Sequence, residues 1–184
     1  DEVVHGIPSD QVELREGQLL SIDCGLILDG WQADSALTVG VGRVSPEKEQ
    51  LMRVTEECFW RGARAAVNGN RLGDVGWAVQ EHAEAHGYGV VRDLTGHGIG
   101  RHMHEDPSVP NFGTPGRGIR LHPGMTICIE PMIAQGHYAV HQLADGWTIV
   151  TNDHSPCSHY EHTLAVVPEG PPEILTHPNA KWEG

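Results

Sequence analysis

Positive charge is scarce in this chain: 12 Lys and Arg stand against 25 Asp and Glu, a formal net charge of −13 at pH 7 with His neutral. The Lys and Arg that exist form no cluster, and an acidic balance of this kind repels phosphates, which excludes a general nucleic-acid binder. Long apolar runs are missing too, and no stretch approaches the ~20 residues needed to span a bilayer. No basic segment followed by an apolar one opens the chain, so no signal peptide is read. The first residue is Asp1 rather than Met, and the chain runs at once into Val3-Val4-His5-Gly6-Ile7-Pro8, which reads as the middle of a longer sequence. Cys24, Cys58, Cys128 and Cys157 are scattered and form no Cys-x-x-Cys pair, so they are expected as free thiols of a reducing, cytoplasmic compartment, packed as small core hydrophobes.

What is present suits one domain. The 184 residues are 39% hydrophobic, with Val, Ile and Leu recurring throughout and no linker-like shift in composition. Gln18 to Leu28 and Trp31 to Val39 read as a hairpin around the tight turn Asp29-Gly30. Ser45-Pro46 starts a helix, favoured by Glu47 and Glu49 in its first turn, and Asn68-Gly69-Asn70 stops it. A second helix carries Val75, Val79, His82 and Ala83 and ends near Gly87. Val90-Val91 is a short strand, and the Gly- and Pro-rich residues 95–118 read as loop. Met125 to Ile133, Tyr138 to Val150 and His162 to Val167 read as strands. This order gives an α+β domain over 1–184 with a mostly antiparallel sheet, and residues 171–184 read as a surface tail.

The hairpin arithmetic brings two acids together. A two-residue loop at Asp29-Gly30 pairs residues whose numbers sum to 59, so Asp34 faces Gly25, and Asp23 lies two residues from Gly25 on the same face. The two carboxylates are then diagonal neighbours, roughly 7–8 Å apart at the backbone. Such a pair either points to solvent from an outer face or is neutralised by a cation or a shared proton. Gly96-His97-Gly98-Ile99-Gly100, with His104 beyond it, suggests a backbone passing close to something beside two imidazoles. Glu130 ends the apolar run Met125 to Ile129, and Glu161 stands at a strand start, although a lone strand-end Glu is usually solvated. Together Asp23, Asp34, His97, Glu130 and Glu161 are four carboxylates and one imidazole, which suit two hard or borderline divalent ions better than a structural zinc. Two such ions would activate a water and polarise a carbonyl or phosphoryl group, the chemistry of a di-metal hydrolase of unspecified substrate.

On these residues the chain resembles the methionine aminopeptidases in their type I bacterial form, which have the pita-bread fold, a curved antiparallel sheet covered by helices. The matching stretches are His5-Gly6-Ile7-Pro8, Asp23 with Asp34 eleven residues on, Gly96-His97-Gly98-Ile99-Gly100 with His104, Ile129-Glu130-Pro131, Asp145-Gly146-Trp147 and Tyr160-Glu161-His162-Thr163. Only 25 residues separate His104 from Glu130 and 30 separate Glu130 from Glu161, which leaves no room for the large insertion of type II forms. The resemblance implies that Asp23, Asp34, His97, Glu130 and Glu161 ligate two divalent ions (Co, Mn, Fe or Zn), with Asp34 and Glu161 bridging. It further implies that His104 bonds the scissile carbonyl or its oxyanion and that His5 meets the substrate backbone. Glu130 would pass a proton toward the leaving amine, while Met103 and Trp147 line a side-chain pocket. The substrates implied are the N-termini of nascent polypeptides, with the ribosome as a candidate place of encounter, no membrane and no direct nucleic-acid partner.

Family members carry a helix and strand before the His5 region, part of the N-terminal half of the fold, and the 184 residues here do not include them. A sheet edge and apolar surface left uncovered are the expected consequences. Two other functions fit the same fold: an Xaa-Pro-specific peptidase, and an inactive pita-bread domain serving as a binding module. The intact set of five ligands argues against the second.

Overall fold

A computed structural model describes residues 1–177 and 182. In chain order it forms β1 (Glu2–Val4), β2 (Leu19–Asp23), β3 (Leu26–Leu28), β4 (Trp31–Ala33), β5 (Ser35–Gly40), α1 (Pro46–Ala65), α2 (Leu72–Ala85), β6 (Gly89–Val90), β7 (Gly96–Gly98) and β8 (Glu105–Val109). There follow β9 (Thr126–Ile129), β10 (Met132–Ala134), β11 (Val140–Gln142), β12 (Ile149–Thr151), β13 (Cys157–His159), β14 (Glu161–Ala165) and β15 (Glu173–Ile174). The main sheet runs β2-β5-β14-β9-β7-β8, every pairing antiparallel, and β15 succeeds β5 along the same side of β14. Two smaller sheets, β13-β10-β6 and β1-β12-β11, and the hairpin β3-β4 complete it. This is the pita-bread architecture, a curved antiparallel sheet backed by two helices.

Strand alternation decides where each side chain goes. On β9 and β14, Ile127, Ile129 and Leu164 turn to the helices and are fully buried with Phe59, Ala63 and Val75. The intervening Cys128, Thr163 and Glu161 turn to the other face. The helices thus seal one side of the sheet with apolar packing and leave the opposite side for chemistry. α1 begins as expected, with Ser45 at its N-cap, Pro46 in its first turn and Glu47 and Glu49 facing the positive end of the dipole.

The hairpin keeps its expected register over its whole length, from Leu19↔Gly40 to Asp23↔Ala36 and again from Leu26↔Ala33 to Leu28↔Trp31. Asp29 (φ 51°) and Gly30 (φ 78°) both take the left-handed backbone that a tight two-residue turn needs. It is not one ribbon, however. The pairing breaks at Asp34, whose N–H donates to Thr163 Oγ1 and whose carbonyl accepts from that hydroxyl, both at 2.9 Å. A side chain of β14 has taken the bonds a strand partner would have made.

Other sequence readings need correction. Residues 95–118 are not all loop, because Gly96–Gly98 and Glu105–Val109 are strands of the main sheet. Met125 to Ile133 is two strands in two sheets, divided at Glu130-Pro131, where proline has no N–H to give a ladder. Tyr138 to Val150 is likewise divided, by the turn at Asp145-Gly146. β1 and β13 are strands that the sequence pattern does not predict. Residues 171–184 are not a plain surface tail: Glu173–Ile174 extends the sheet, Ile174 is buried, and Thr176 Oγ1 meets His162 Nδ1 at 2.9 Å. Residues 178–181, 183 and 184 of that segment lie outside the described residues. Three cysteines are buried as expected, but Cys24 is exposed. At the other end of the molecule β2 is a sheet edge, and Ile27, Leu28 and Trp31 of the hairpin stand exposed.

Candidate active site

One face of the main sheet gathers the acids. Ala36 is the Cα partner of both Asp23 on β2 and Glu161 on β14, which puts the two carboxylates in one row on one face. The β14–β9 register, His162↔Ile129, continues by one pair to bring Glu130 opposite Glu161. On the far side β7 delivers His97. Its backbone lies close because Gly96 and Gly98 flank it: a Cβ on either would stand 2.2 Å from the Cys128 carbonyl oxygen or 2.3 Å from that of Asp106. The glycine run is therefore a strand squeezed between two neighbours.

Ligand-type atoms of Asp23, Asp34 and Glu161 lie within 4.8 Å of one another, as do those of Glu130, His159 and Glu161. His97 Nε2 stands 3.6 Å from Glu130 Oε1 and 3.9 Å from Asp34 Oδ2. Its other nitrogen, Nδ1, donates to the Gly98 carbonyl at 2.9 Å, so the lone pair of Nε2 faces the carboxylates. A ring held this way is in the tautomer a metal requires. Burial pushes the carboxyls of Glu130 and Glu161 well above the usual range, and Asp34 and Asp23 push them further in the same direction. Asp23 is raised by burial and by Asp34. Burial lowers His97. Glu161 Oε1 has no hydrogen-bond partner among the described residues. Four acids and an unprotonated imidazole nitrogen converge, and among the described residues no Lys or Arg pairs with them. The donor set fits divalent ions.

The remaining expected residues lie around this cluster to different degrees. His104, in the loop between β7 and β8, holds its ring 4.4 Å from that of His97 and lines an open cleft with Thr95, Gly96 and Glu105. His5, just past β1 and in left-handed backbone (φ 61°), is close enough for its charge to act on Asp23. Met103 reaches the site's border, its methyl 2.5 Å from where a Cβ on Gly25 would sit. Trp147 stands at the β11–β12 turn with 62% of its surface exposed, placed there by its N–H bond to Asp145 Oδ1 at 2.9 Å.

The structure adds His159, which sequence reasoning missed. Its ring is fully enclosed, and Nε2 lies 3.8 Å from Glu130 Oε2 and 3.9 Å from Glu161 Oε2. Burial and the nearby His5 hold it down at about 4. Thr163, the last residue of the Tyr160-Glu161-His162-Thr163 motif, anchors Asp34 through its hydroxyl. Thr163 stands two residues from Glu161 on β14, the spacing that shares a strand face, and that alternation was the signal available for it.

Residues 1–168 match the model of metallopeptidase family M24. A curated methionine aminopeptidase from Clostridium acetobutylicum is 52% identical over 176 residues, covering 96% of this chain and 70% of that protein. The crystal structure of a methionine aminopeptidase from Thermotoga maritima superposes with a TM-score of 0.93 at 45% identity, over 95% of this chain and 70% of that one. A prolidase from Pyrococcus furiosus, at 24% identity and a TM-score of 0.73 over 98% of this chain and 46% of that one, shares the fold. The chain therefore belongs to metallopeptidase family M24 and, within it, to the methionine aminopeptidases.

Proposed function

We propose that the chain removes the initiator methionine from nascent polypeptides with two divalent ions held by Asp23, Asp34, His97, Glu130 and Glu161, of which Asp34 and Glu161 bridge. The observation that carries this reading is the row of acids on one sheet face, with Glu161 buried, Asp34 and Glu130 half-buried and Asp23 exposed at its end, and no Lys or Arg paired with them among the described residues. When bound, the ions would make a water nucleophilic at neutral pH and polarise the scissile carbonyl; Co, Mn, Fe and Zn all suit the set.

The chain's own residues do the rest. His104, on the cleft side of His97, donates a hydrogen bond to the oxygen of the scissile carbonyl as negative charge grows there. Glu130, opposite Glu161 just past the end of β9, would carry a proton toward the leaving amine. His5 contacts the substrate backbone beyond its first residue, and Met103 and Trp147 line part of the pocket for the methionine side chain. Among the described residues no helix is long and apolar enough to cross a membrane.

The prolidase neighbours make an Xaa-Pro preference the alternative to exclude. Assays of the metal-loaded chain on Met-Ala and Xaa-Pro peptides, with metal content measured in parallel, separate the two. Release of Met from Met-Ala peptides supports the proposal, whereas cleavage confined to Xaa-Pro bonds, or none in fully metallated protein, overturns it.

A further inference from the structure

Away from the carboxylate face, on the helical layer, Glu57 of α1 and His82 and His86 of α2 form a second group of metal-type ligands. One ligand atom from each lies within 4.8 Å of the other two. The two histidines are four apart, the spacing that stacks side chains on one helix face. His82 Nε2 and Glu57 Oε2 are 2.7 Å apart, and the two imidazole rings meet edge to face at 4.6 Å. Each outer ligand is also held from behind. Glu57 Oε1 accepts from Arg53 at 2.7 Å, which leaves Oε2 to face the histidines. His86 Nδ1 donates to the His82 carbonyl at 2.9 Å, which leaves its Nε2 lone pair free. Carboxylates and imidazoles oriented by such outer partners are how protein metal sites fix their ligands. Burial and the Arg61 charge lower His82, so its ring is neutral at neutral pH, the form a metal accepts.

We infer that Glu57, His82 and His86 form a zinc-class binding site that cross-links α1 to α2, distinct from the catalytic ions. Two imidazoles and one carboxylate select a borderline ion such as Zn²⁺ over Mg²⁺ or Ca²⁺, which prefer all-oxygen shells. Three protein ligands leave a fourth, tetrahedral position for water. On binding, the ring's single proton moves from His82 Nε2 to Nδ1 by exchange with solvent, so the short bond from His82 to Glu57 is replaced by two bonds to the ion. Ligand atoms in a tetrahedral zinc site are roughly 3.3 Å apart, and those of these three side chains lie within 4.8 Å of one another.

The test uses the whole chain and Zn²⁺ as probe. Zinc bound per chain is measured by equilibrium dialysis and elemental analysis for the wild type, His86→Gln and Glu57→Gln. Glutamine at 86 can still donate to the His82 carbonyl, and Glu57→Gln changes only a half-exposed carboxylate. Circular dichroism and activity on a Met-Ala peptide verify that each variant is folded. The wild type is expected to bind one equivalent more than either variant, or to bind that equivalent at least about tenfold more tightly, and zinc is expected to raise its melting temperature more than theirs. Equal stoichiometry, affinity and melting shift in all three proteins overturn the site.

Discussion

Asp23 and Glu161 stand on either side of Ala36, each its Cα partner on a neighbouring strand, so the two carboxylates are separated by the width of one alanine-bearing strand. Ala36 is 1% exposed, and its single methyl leaves the space above β5 open to both acids and to Asp34. A larger side chain would fill that space. Ala36→Val is expected to cost about 1–3 kcal/mol through overpacking and to reduce bound metal. Thermal melts and metal analysis measure both, and a variant with wild-type metal content would show that the row does not frame the ion site.

Thr163 holds Asp34 by its backbone, its hydroxyl bonded to both the N–H and the carbonyl of that residue. Thr163→Val keeps the shape and removes both bonds, leaving two backbone groups in need of partners. We expect a loss of about 1–3 kcal/mol and metal affinity weaker by roughly 10–100-fold, the range for residues that orient a ligand. Calorimetric metal titration of the variant would show the second effect, and unchanged affinity would mean that Asp34 is positioned by its own strand.

Much of this site was legible in the sequence, for a physical reason. The tight turn at Asp29-Gly30 fixes which residues pair, and one register then places Asp23 and Asp34 on one face without knowledge of the rest of the fold. The glycines around His97 likewise signalled a close backbone approach. The carboxylates of Glu130 and Glu161 could not be placed beside that pair locally, because β9 and β14 reach β5 only through long-range pairing. The break of the hairpin at Asp34 was hidden for the same reason, since the residue that causes it lies 129 positions away. His159 was overlooked among 13 histidines because nothing local marks it as buried.

His104 is expected to act on the reaction rather than on the metal. His104→Ala should lower kcat by about 10²–10³-fold, the effect of removing one donor to an oxyanion, while metal content stays at the wild-type level. Steady-state kinetics with parallel metal analysis decides this. Metal lost in step with activity would make His104 a ligand.

Acid sensitivity has a separate source in the β12–β13 loop. The His137 N–H, bonded to Asp153 Oδ2 at 2.7 Å, and the side chain and N–H of Ser155 hold the Asp153 carboxyl down at about 2. A carboxyl depressed on folding adds stability above its unfolded value, near 3.8, and that stability is lost as pH falls toward about 2. Asp153→Ala should therefore melt below the wild type by a constant margin from pH 7 to about 4, with the margin narrowing in more acidic buffer. Narrowing already between pH 7 and 5 would contradict the assignment.

The most direct measurement is metal stoichiometry and Met-Ala peptidase activity in Asp34→Asn beside the wild type. Asparagine keeps the size of the side chain but removes the charge proposed to bridge the ions. Loss of bound metal, with activity down by about 10²-fold or more in a protein whose circular dichroism is unchanged, is the expected result. Full metal content with full activity in that variant would contradict a dinuclear site bridged by Asp34.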